Sequence, residues 1–407
     1  MKDGKYRVLL LCEHPVQYNT ILWSLQARHP KLDILVAYCS LRGAEAAAHH
    51  PDFGVEIKWD VPLLEGYPWV LVDAPKSQKN GGARPGFFSA PLWRLIRHGG
   101  FDAVYVSGYY FPEAWLVMLA AKYSHIPLIL ATDVHSLDSR RVQSGFARTV
   151  KKAIVKRIFR MAGAVQTGST GATTYVRSLG VPAERILLGG NIVDNAWWSE
   201  RAASANRASI RRSWNIPDDA PAVLFCAKLQ SWKRPGDLLE AFARAGAAGS
   251  YLIFAGDGAL RSELEQRAHE LGIVDGVRFL GFVNQSGLPS VYAASDLLVL
   301  PSDYEPFGLV VNEAMLCGCA AIVSDRVGAK YDLVREGETG CVFPCGDIDA
   351  LAKLLRALLT DRPRLARMGA AARERMKTWT PEMNVDTFAR VVETAVKSGS
   401  KPQGALH

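Results

Sequence analysis

Two glutamates and two lysines are the residues whose types and spacing suggest chemistry. Glu305 comes just before Pro306-Phe307-Gly308-Leu309, and Glu313 follows a little further on. The apolar run 297–300 reads as a strand, and the residues from Pro306 on read as the opening of a helix. Gly308 and Leu309 would then offer unpaired backbone N–H groups at the positive end of that helix, a seat for phosphate. On this count Glu313 lies about one and a half turns into the helix, so the two carboxylates would reach different parts of one elongated ligand. A carboxylate that accepts two hydroxyls commonly holds a ribose. A purely structural role is the alternative: Glu305 favouring the helix dipole and Glu313 facing solvent.

Lys228 and Lys233 lie in the stretch FCAKLQSWKRP. Lys228 closes a predicted strand and Lys233 stands just before a predicted helix, so both ammonium groups occupy one strand–loop–helix corner. Two cations there suit a diphosphate; a solvated basic turn is the bland reading. The next strand ends in Gly256-Asp257-Gly258, a turn through which backbone can approach backbone or ligand closely. Arg261 stands where the third glycine of a dinucleotide fingerprint belongs, which weakens a dehydrogenase reading.

These residues need strands and helices to hold them. Strand-like apolar runs occur at 7–12, 33–38, 103–107, 127–132, 164–167 and 186–188, then at 222–227, 251–255, 277–282, 297–300 and 320–324. Helical patterns alternate with them, among them 19–28, 112–123, 201–214, 234–245, 259–271 and 350–359. Continuous apolar strands between helices are what a parallel sheet buried on both faces requires. The expected fold class is α/β: two doubly wound, Rossmann-like domains facing a cleft, with ligands at the carboxyl ends of the strands. The expected boundaries are an acceptor-side domain at 1–195, a nucleotide-binding domain at 196–380, and 381–407 as a C-terminal helix returning to the first domain, with a frayed tail from 397.

Composition narrows the class. The 407 residues are 49% hydrophobic and 22% charged, close to the globular average. No apolar run approaches the ~18 residues of a membrane span, and 1–12 reads as a buried strand rather than a secretion signal. Seven cysteines without a regular framework fit a reducing cytoplasm. The net charge is +8, and residues 1–200 carry most of the excess, with 23 Lys+Arg against 16 Asp+Glu. Such a field attracts anionic surfaces or substrates, yet no nucleic-acid-binding signature accompanies it.

The stretches FCAKLQSWKRPGDLLEAF, YLIFAGDGALRSELE, VRFLGFVNQSGLPSVYAASDLLVLPS, EPFGLVVNEAMLCG and GCVFPCGDIDALAKLL together resemble the family-4 glycosyltransferases, retaining nucleotide-sugar enzymes of the GT-B fold. The resemblance covers residues 164–375 well and the first 160 loosely. It implies that Glu305 contacts the donor sugar and that Glu313 holds the ribose hydroxyls. Gly308 and Leu309 would donate N–H groups to the diphosphate, which Lys228 and Lys233 would neutralise. One departure stands out: the first basic position is usually Arg, and Lys228 replaces a bidentate fork with a point charge. Phe282 and Val283 fall where family members contact the base, largely by backbone. Such enzymes need no metal or other cofactor; their partners are a nucleotide sugar and a hydroxyl acceptor.

In the first half, His14, Gln17 and Tyr18 follow the first strand and could contact acceptor or donor; a structural turn explains them as well. Asp133 and His135 follow another strand end, and the resemblance assigns one of them to face the transferred sugar. Gly168-Ser169-Thr170 suits a phosphate-facing turn or an N-cap, and Asp347-Ile348-Asp349 is read as a cap. Cys317, Cys319, Cys341 and Cys345 are off-pattern for zinc and read as buried thiols. A projection of 150–161 at 100° per residue puts Val150, Ile154, Val155, Ile158 and Met161 on one arc and Lys152, Lys156, Arg157 and Arg160 opposite. That basic amphipathic helix either packs its apolar arc on the sheet or makes peripheral contact with anionic membrane, at the inner face of the membrane for a cytoplasmic protein. Besides a transferase, a nucleotide-sugar epimerase or a non-catalytic nucleotide-sugar-binding protein fits the same architecture.

Overall fold

A computed structural model describes residues 4–44, 48–50, 55–72, 89–136 and 145–399. It divides into two compact units, one drawn from Met1–Ala47, Pro62–Asn191 and Pro381–His407, the other from Ala48–Val61 and Ile192–Thr380. In chain order the strands are β1 (Tyr6–Cys12), β2 (Leu32–Tyr38), β3 (Ala48–His50), β4 (Val55–Ile57), β5 (Trp69–Leu71), β6 (Ala103–Ser107), β7 (Leu128–Thr132), β8 (Ala164–Thr167) and β9 (Ile186–Leu188). They continue as β10 (Ala222–Cys226), β11 (Tyr251–Ala255), β12 (Val277–Gly281), β13 (Leu297–Leu300), β14 (Ala320–Ser324) and β15 (Gly340–Phe343).

The first unit holds a seven-stranded sheet in the order β5-β2-β1-β6-β7-β8-β9, parallel throughout. The second holds a six-stranded parallel sheet, β12-β11-β10-β13-β14-β15. Both are doubly wound. The chain works outward from a central strand in one direction and then in the other, so the order reverses between β1 and β6 and again between β10 and β13. Such a switch point leaves a crevice at the carboxyl ends of the two central strands. Central strands run almost wholly apolar because both faces are covered: all five residues of β10 and all four of β13 are buried.

The first sheet is packed on both faces. On one, Leu116 and Val117 of the helix Pro112–Tyr123 join Val155, Ile158 and Phe159 of the helix Gly145–Met161 over Val104, Val106 and Leu130. On the other, Phe388, Val391 and Val392 of the helix Pro381–Gly399 cover Val8 and Leu10 together with Trp23. Asn384 ties that helix down by donating to the carbonyls of Gly189 and Gly190 at 3.0 and 2.9 Å.

Several expectations need correction. The helix foreseen over 201–214 is two helices, Asn195–Ser204 and Arg207–Ser213, because the Asn206 side chain accepts from Ser209 N at 3.0 Å and starts the second afresh. The arc projected over 150–161 is split. Val155 and Ile158 face the sheet with Phe159, whereas Val150, Ile154 and Met161 are 42%, 48% and 44% exposed. The last helix runs through Lys397, which pairs with Glu393 at 2.7 Å, as far as Gly399. The remainder of the expected frayed tail, 400–407, lies outside the described residues. No described helix is long and apolar enough to cross a membrane.

Candidate active site

The second sheet's switch point is lined by the two loops that follow β10 and β13, and these carry the lysines and Glu305. After β10 the chain passes half-buried Lys228, makes a 3₁₀ turn at Ser231–Lys233, and enters the helix Pro235–Ala245 through Arg234, which takes a left-handed φ of 53°. The 228–230 loop is held from beneath by the glycine turn. Leu229 N donates to Asp257 O at 2.9 Å and Leu260 N to Leu229 O at 3.1 Å. A Cβ at Gly256 would lie 2.0 Å from the Ala227 carbonyl, and one at Gly258 2.6 Å from that of Leu229. Here the glycines let backbone meet backbone.

The loop after β13 is pinned on both sides. Asp303 N donates to Trp232 O at 2.8 Å, joining it to the lysine loop. Glu305 N donates to Arg326 O, Gly328 N to Glu305 O and Ala329 N to Phe307 O, joining it to the loop after β14. Between these ties Lys233 donates to the Glu305 carboxylate, with side chains only 16% and 17% exposed. Gly308 backs the pair: a Cβ there would come within 3.2 Å of Glu305 Cγ. Lys233, Glu305 and Gly308 are therefore one cluster, with Leu309 half-buried beside them.

Glu313 departs from expectation in its place along the helix. The helix begins only at Val310, since Gly308 at φ 97° cannot belong to a right-handed helix, and Glu313 sits in its first turn. The carboxylate is buried and accepts a hydrogen bond from Tyr292 at 2.7 Å, which removes the alternative that it faces solvent. Burial pushes its pKa up to about 7, with the Tyr292 hydroxyl pulling the other way. Burial likewise raises the neighbouring Cys226 thiol to about 12, assisted by the Glu313 charge. Tyr292 is a site residue that the sequence reading did not single out. Its only signal was a large phenol inside the short apolar helix Leu288–Ala293.

Phe282 and Val283 lie half-buried just past β12, which ends at Gly281. The loop that follows them receives a segment from far up the chain: Asn284 donates to the Lys58 carbonyl at 2.8 Å, and Ser286 donates to the Asp60 carboxylate. Nothing local in the sequence announces that contact.

At the first unit's strand ends, His14 Nδ1 stands 3.9 Å from the Glu13 carboxylate. Partial burial lowers its pKa and Glu13 works against that. Gln17 opens the helix Gln17–Arg28 and Tyr18 follows it. Tyr18 is 40% exposed as a residue, yet burial of its phenol and, behind that, the charge of Asp133, half-buried past β7, raise its pKa. His135 is half-buried in the same stretch. Ser169 resolves to a cap, accepting from Ala172 N at 3.0 Å, and Asp347 to another, accepting from Ala350 N at 2.8 Å.

Residues 206–375, which carry this cluster, match the family model for glycosyl transferases group 1, and residues 20–191 match that for a glycosyl transferase 4-like domain. The chain belongs to the family-4 glycosyltransferases. A D-inositol 3-phosphate glycosyltransferase of Geodermatophilus obscurus is 33% identical over 49% of this chain and 46% of its own length. The glycogen synthase of Mycobacterium tuberculosis is 28% identical over 72% of this chain and 70% of its own. The chain thus spans about half or less of the length of the first curated relatives it matches. Anabaena HepE, solved with UDP and glucose, superposes with a TM-score of 0.71 at 19% identity, covering 95% of this chain and 99% of HepE. At that identity the likeness speaks for the GT-B fold, two Rossmann-like units of parallel sheet.

Proposed function

We propose that this family-4 glycosyltransferase moves a sugar from a nucleoside diphosphate to a hydroxyl acceptor, with retention at the anomeric carbon, in building a glycan, polysaccharide or glycolipid. One observation carries the reading: Lys233 and Glu305 meet beside Gly308 at the switch point of the second sheet. A cation and a carboxylate side by side suit a ligand with an anionic middle and a hydroxylated end. The UDP and glucose in HepE support a nucleotide-sugar donor.

In this mechanism the bond from the anomeric carbon to the diphosphate oxygen breaks. The charge that develops on that oxygen is met by Lys228, Lys233 and the amides of Gly308 and Leu309. Glu305 takes a hydroxyl of the transferred sugar, Glu313 takes the ribose hydroxyls, and the loop at Phe282 and Val283 takes the base. The acceptor oxygen bonds to the anomeric carbon, and its proton passes to the departing phosphate oxygen, so no strong base is needed. Because the lysines and amides supply the positive charge, the reaction needs no metal ion. Asp133 or His135 steadies the transferred sugar, while His14, Gln17 and Tyr18 take the acceptor. Seven free thiols support a reducing, cytoplasmic setting for the enzyme.

The test is a panel of nucleotide sugars assayed for diphosphate release with and without glycan and lipid-linked acceptors, after thermal-shift ranking of nucleoside diphosphates. Acceptor-dependent release is expected, falling by about two orders of magnitude or more in Lys233→Ala and Glu305→Ala. Sugar turnover with no acceptor and no diphosphate release would identify an epimerase. Nucleotide binding without any turnover would identify a binding protein.

A further inference from the structure

The first sheet has a switch point of its own, between β1 and β6, and the residues just past those two strands lie at the crevice it leaves. Leu11 pairs with Val106, so Glu13 and Gly108 stand level, two residues further on. The loop after β6 is fixed on both sides of Tyr110. Trp115 donates to the Tyr109 carbonyl at 2.9 Å, the Tyr109 ring meets Phe159 edge-on at 6.1 Å, and Phe111 is buried. Tyr110 between them is 74% exposed, yet it is held. A Cβ on Gly108, whose φ is 87°, would lie 2.9 and 3.0 Å from Tyr110 Cε1 and Cδ1, so one edge of the ring rests on the glycine. The Tyr110 hydroxyl donates to the Glu13 carboxylate. Burial of that hydroxyl, then the Glu13 charge, raises its pKa although the residue as a whole is exposed. Glu13 is fixed in turn through its carbonyl, which accepts from Ser40 N at 3.0 Å. Its side chain stays 44% exposed, with His14 Nδ1 3.9 Å from the carboxylate.

Folding accounts for Tyr109 and Phe111, whose rings pack, but not for Tyr110, whose ring is fixed on edge and left in water. Such a ring can receive the C–H face of a sugar, because weakly positive hydrogens meet the negative π-face. An ionised carboxylate beside it accepts hydroxyl hydrogens and donates none. Together they fit a guest that is apolar on one face and hydroxylated at its rim. A cation is the poorer guest, since residues 1–200 carry 23 Lys+Arg against 16 Asp+Glu and set a repelling field around the crevice. An anion would meet the Glu13 charge directly.

We propose that Glu13 and Tyr110 seat an uncharged sugar residue of the acceptor. That this sugar is the acceptor rests on the proposed transfer reaction, while the seat itself does not. Saturation-transfer NMR on the full chain, with and without UDP, measures binding of the methyl glycosides of glucose, galactose, mannose and N-acetylglucosamine, with tetramethylammonium as the cationic comparator. At least one glycoside should bind through its C–H protons, at least about ten-fold more weakly in Tyr110→Ala and in Glu13→Gln. Tyr110→Phe, which keeps the ring, should bind it nearly as the wild type does. In transfer assays Tyr110→Ala should raise the acceptor KM by about ten-fold while nucleoside diphosphate affinity holds. Unchanged thermal melting of each variant separates lost binding from lost folding. No glycoside binding, binding that Tyr110→Ala leaves intact, or tighter binding of tetramethylammonium than of any glycoside would overturn the seat. Acceptor-dependent diphosphate release with an acceptor KM that Tyr110→Ala does not move would overturn it too, and leave the transfer reaction standing. Tyr110-dependent glycoside binding in a protein that releases diphosphate from no donor would uphold the seat and sink the transfer reaction instead.

Discussion

Lys233 and Glu305, 72 residues apart, neutralise each other across the switch point of the second sheet. On the proposed reading the pair holds a cation where a diphosphate would arrive, with a carboxylate that an incoming sugar hydroxyl would share. The two charges then have separable duties. Glu305→Gln removes the acceptor charge but leaves Lys233 to the diphosphate, so nucleoside diphosphate affinity should hold or tighten while transfer falls about 100-fold. Lys233→Ala should weaken both. Calorimetric titration of each variant beside its transfer rate decides the matter, and equal loss of nucleotide affinity in both variants would refute separate roles.

Glu313 makes the site sensitive to pH. Burial holds its carboxyl at about 7, against an ordinary 4.5. A group raised in the folded state adds stability that is complete below its unfolded pKa and is lost as pH climbs through the folded value. Stability should therefore decline between about pH 5 and pH 8 by on the order of 3 kcal/mol through this residue. Glu313→Gln should flatten the decline, read from melting temperatures across that range. The ionised carboxylate is also the stronger acceptor for ribose hydroxyls. Nucleoside diphosphate affinity should accordingly rise with pH in the wild type and stay level in the variant.

What could be read from sequence was what repeats locally. β6, β8, β9, β11, β13 and β14 begin and end where their apolar runs do, because strands buried on both faces leave unbroken runs bounded by turn residues. The one short strand of the second sheet that went unseen, β15, opens on Gly340, where a Cβ would sit 2.0 Å from the Ala321 carbonyl; its sequence reports close packing rather than strand propensity. Lys233 and Glu305 were legible as separate chemical groups, while their contact belongs to the fold. Tyr292 meeting Glu313, and Asp60 meeting Ser286 across 226 residues, are long-range facts with no periodic trace. The helix at 145–161 shows the limit of a projection: it separates apolar from charged residues but does not tell which apolar residues the sheet will cover.

The glycines that bring the loops together offer a test of positioning. Gly328 has no room for a side chain, since a Cβ would lie 1.9 Å from the Pro306 carbonyl and 3.0 Å from Phe307 Cα. Both neighbours are backbone of the loop that carries Glu305, so Gly328→Ala must move that loop outward. The expected cost is about 1–3 kcal/mol of stability, with transfer reduced at least about ten-fold although no catalytic side chain has changed. Gly236, in the first turn of the helix that follows Lys233, is the matched control, because a Cβ there meets nothing within 4 Å. Gly236→Ala should leave transfer intact and raise stability by up to about 1 kcal/mol through helix propensity. If Gly328→Ala melts and turns over like Gly236→Ala, close packing of the two loops is not what holds Glu305 against Lys233.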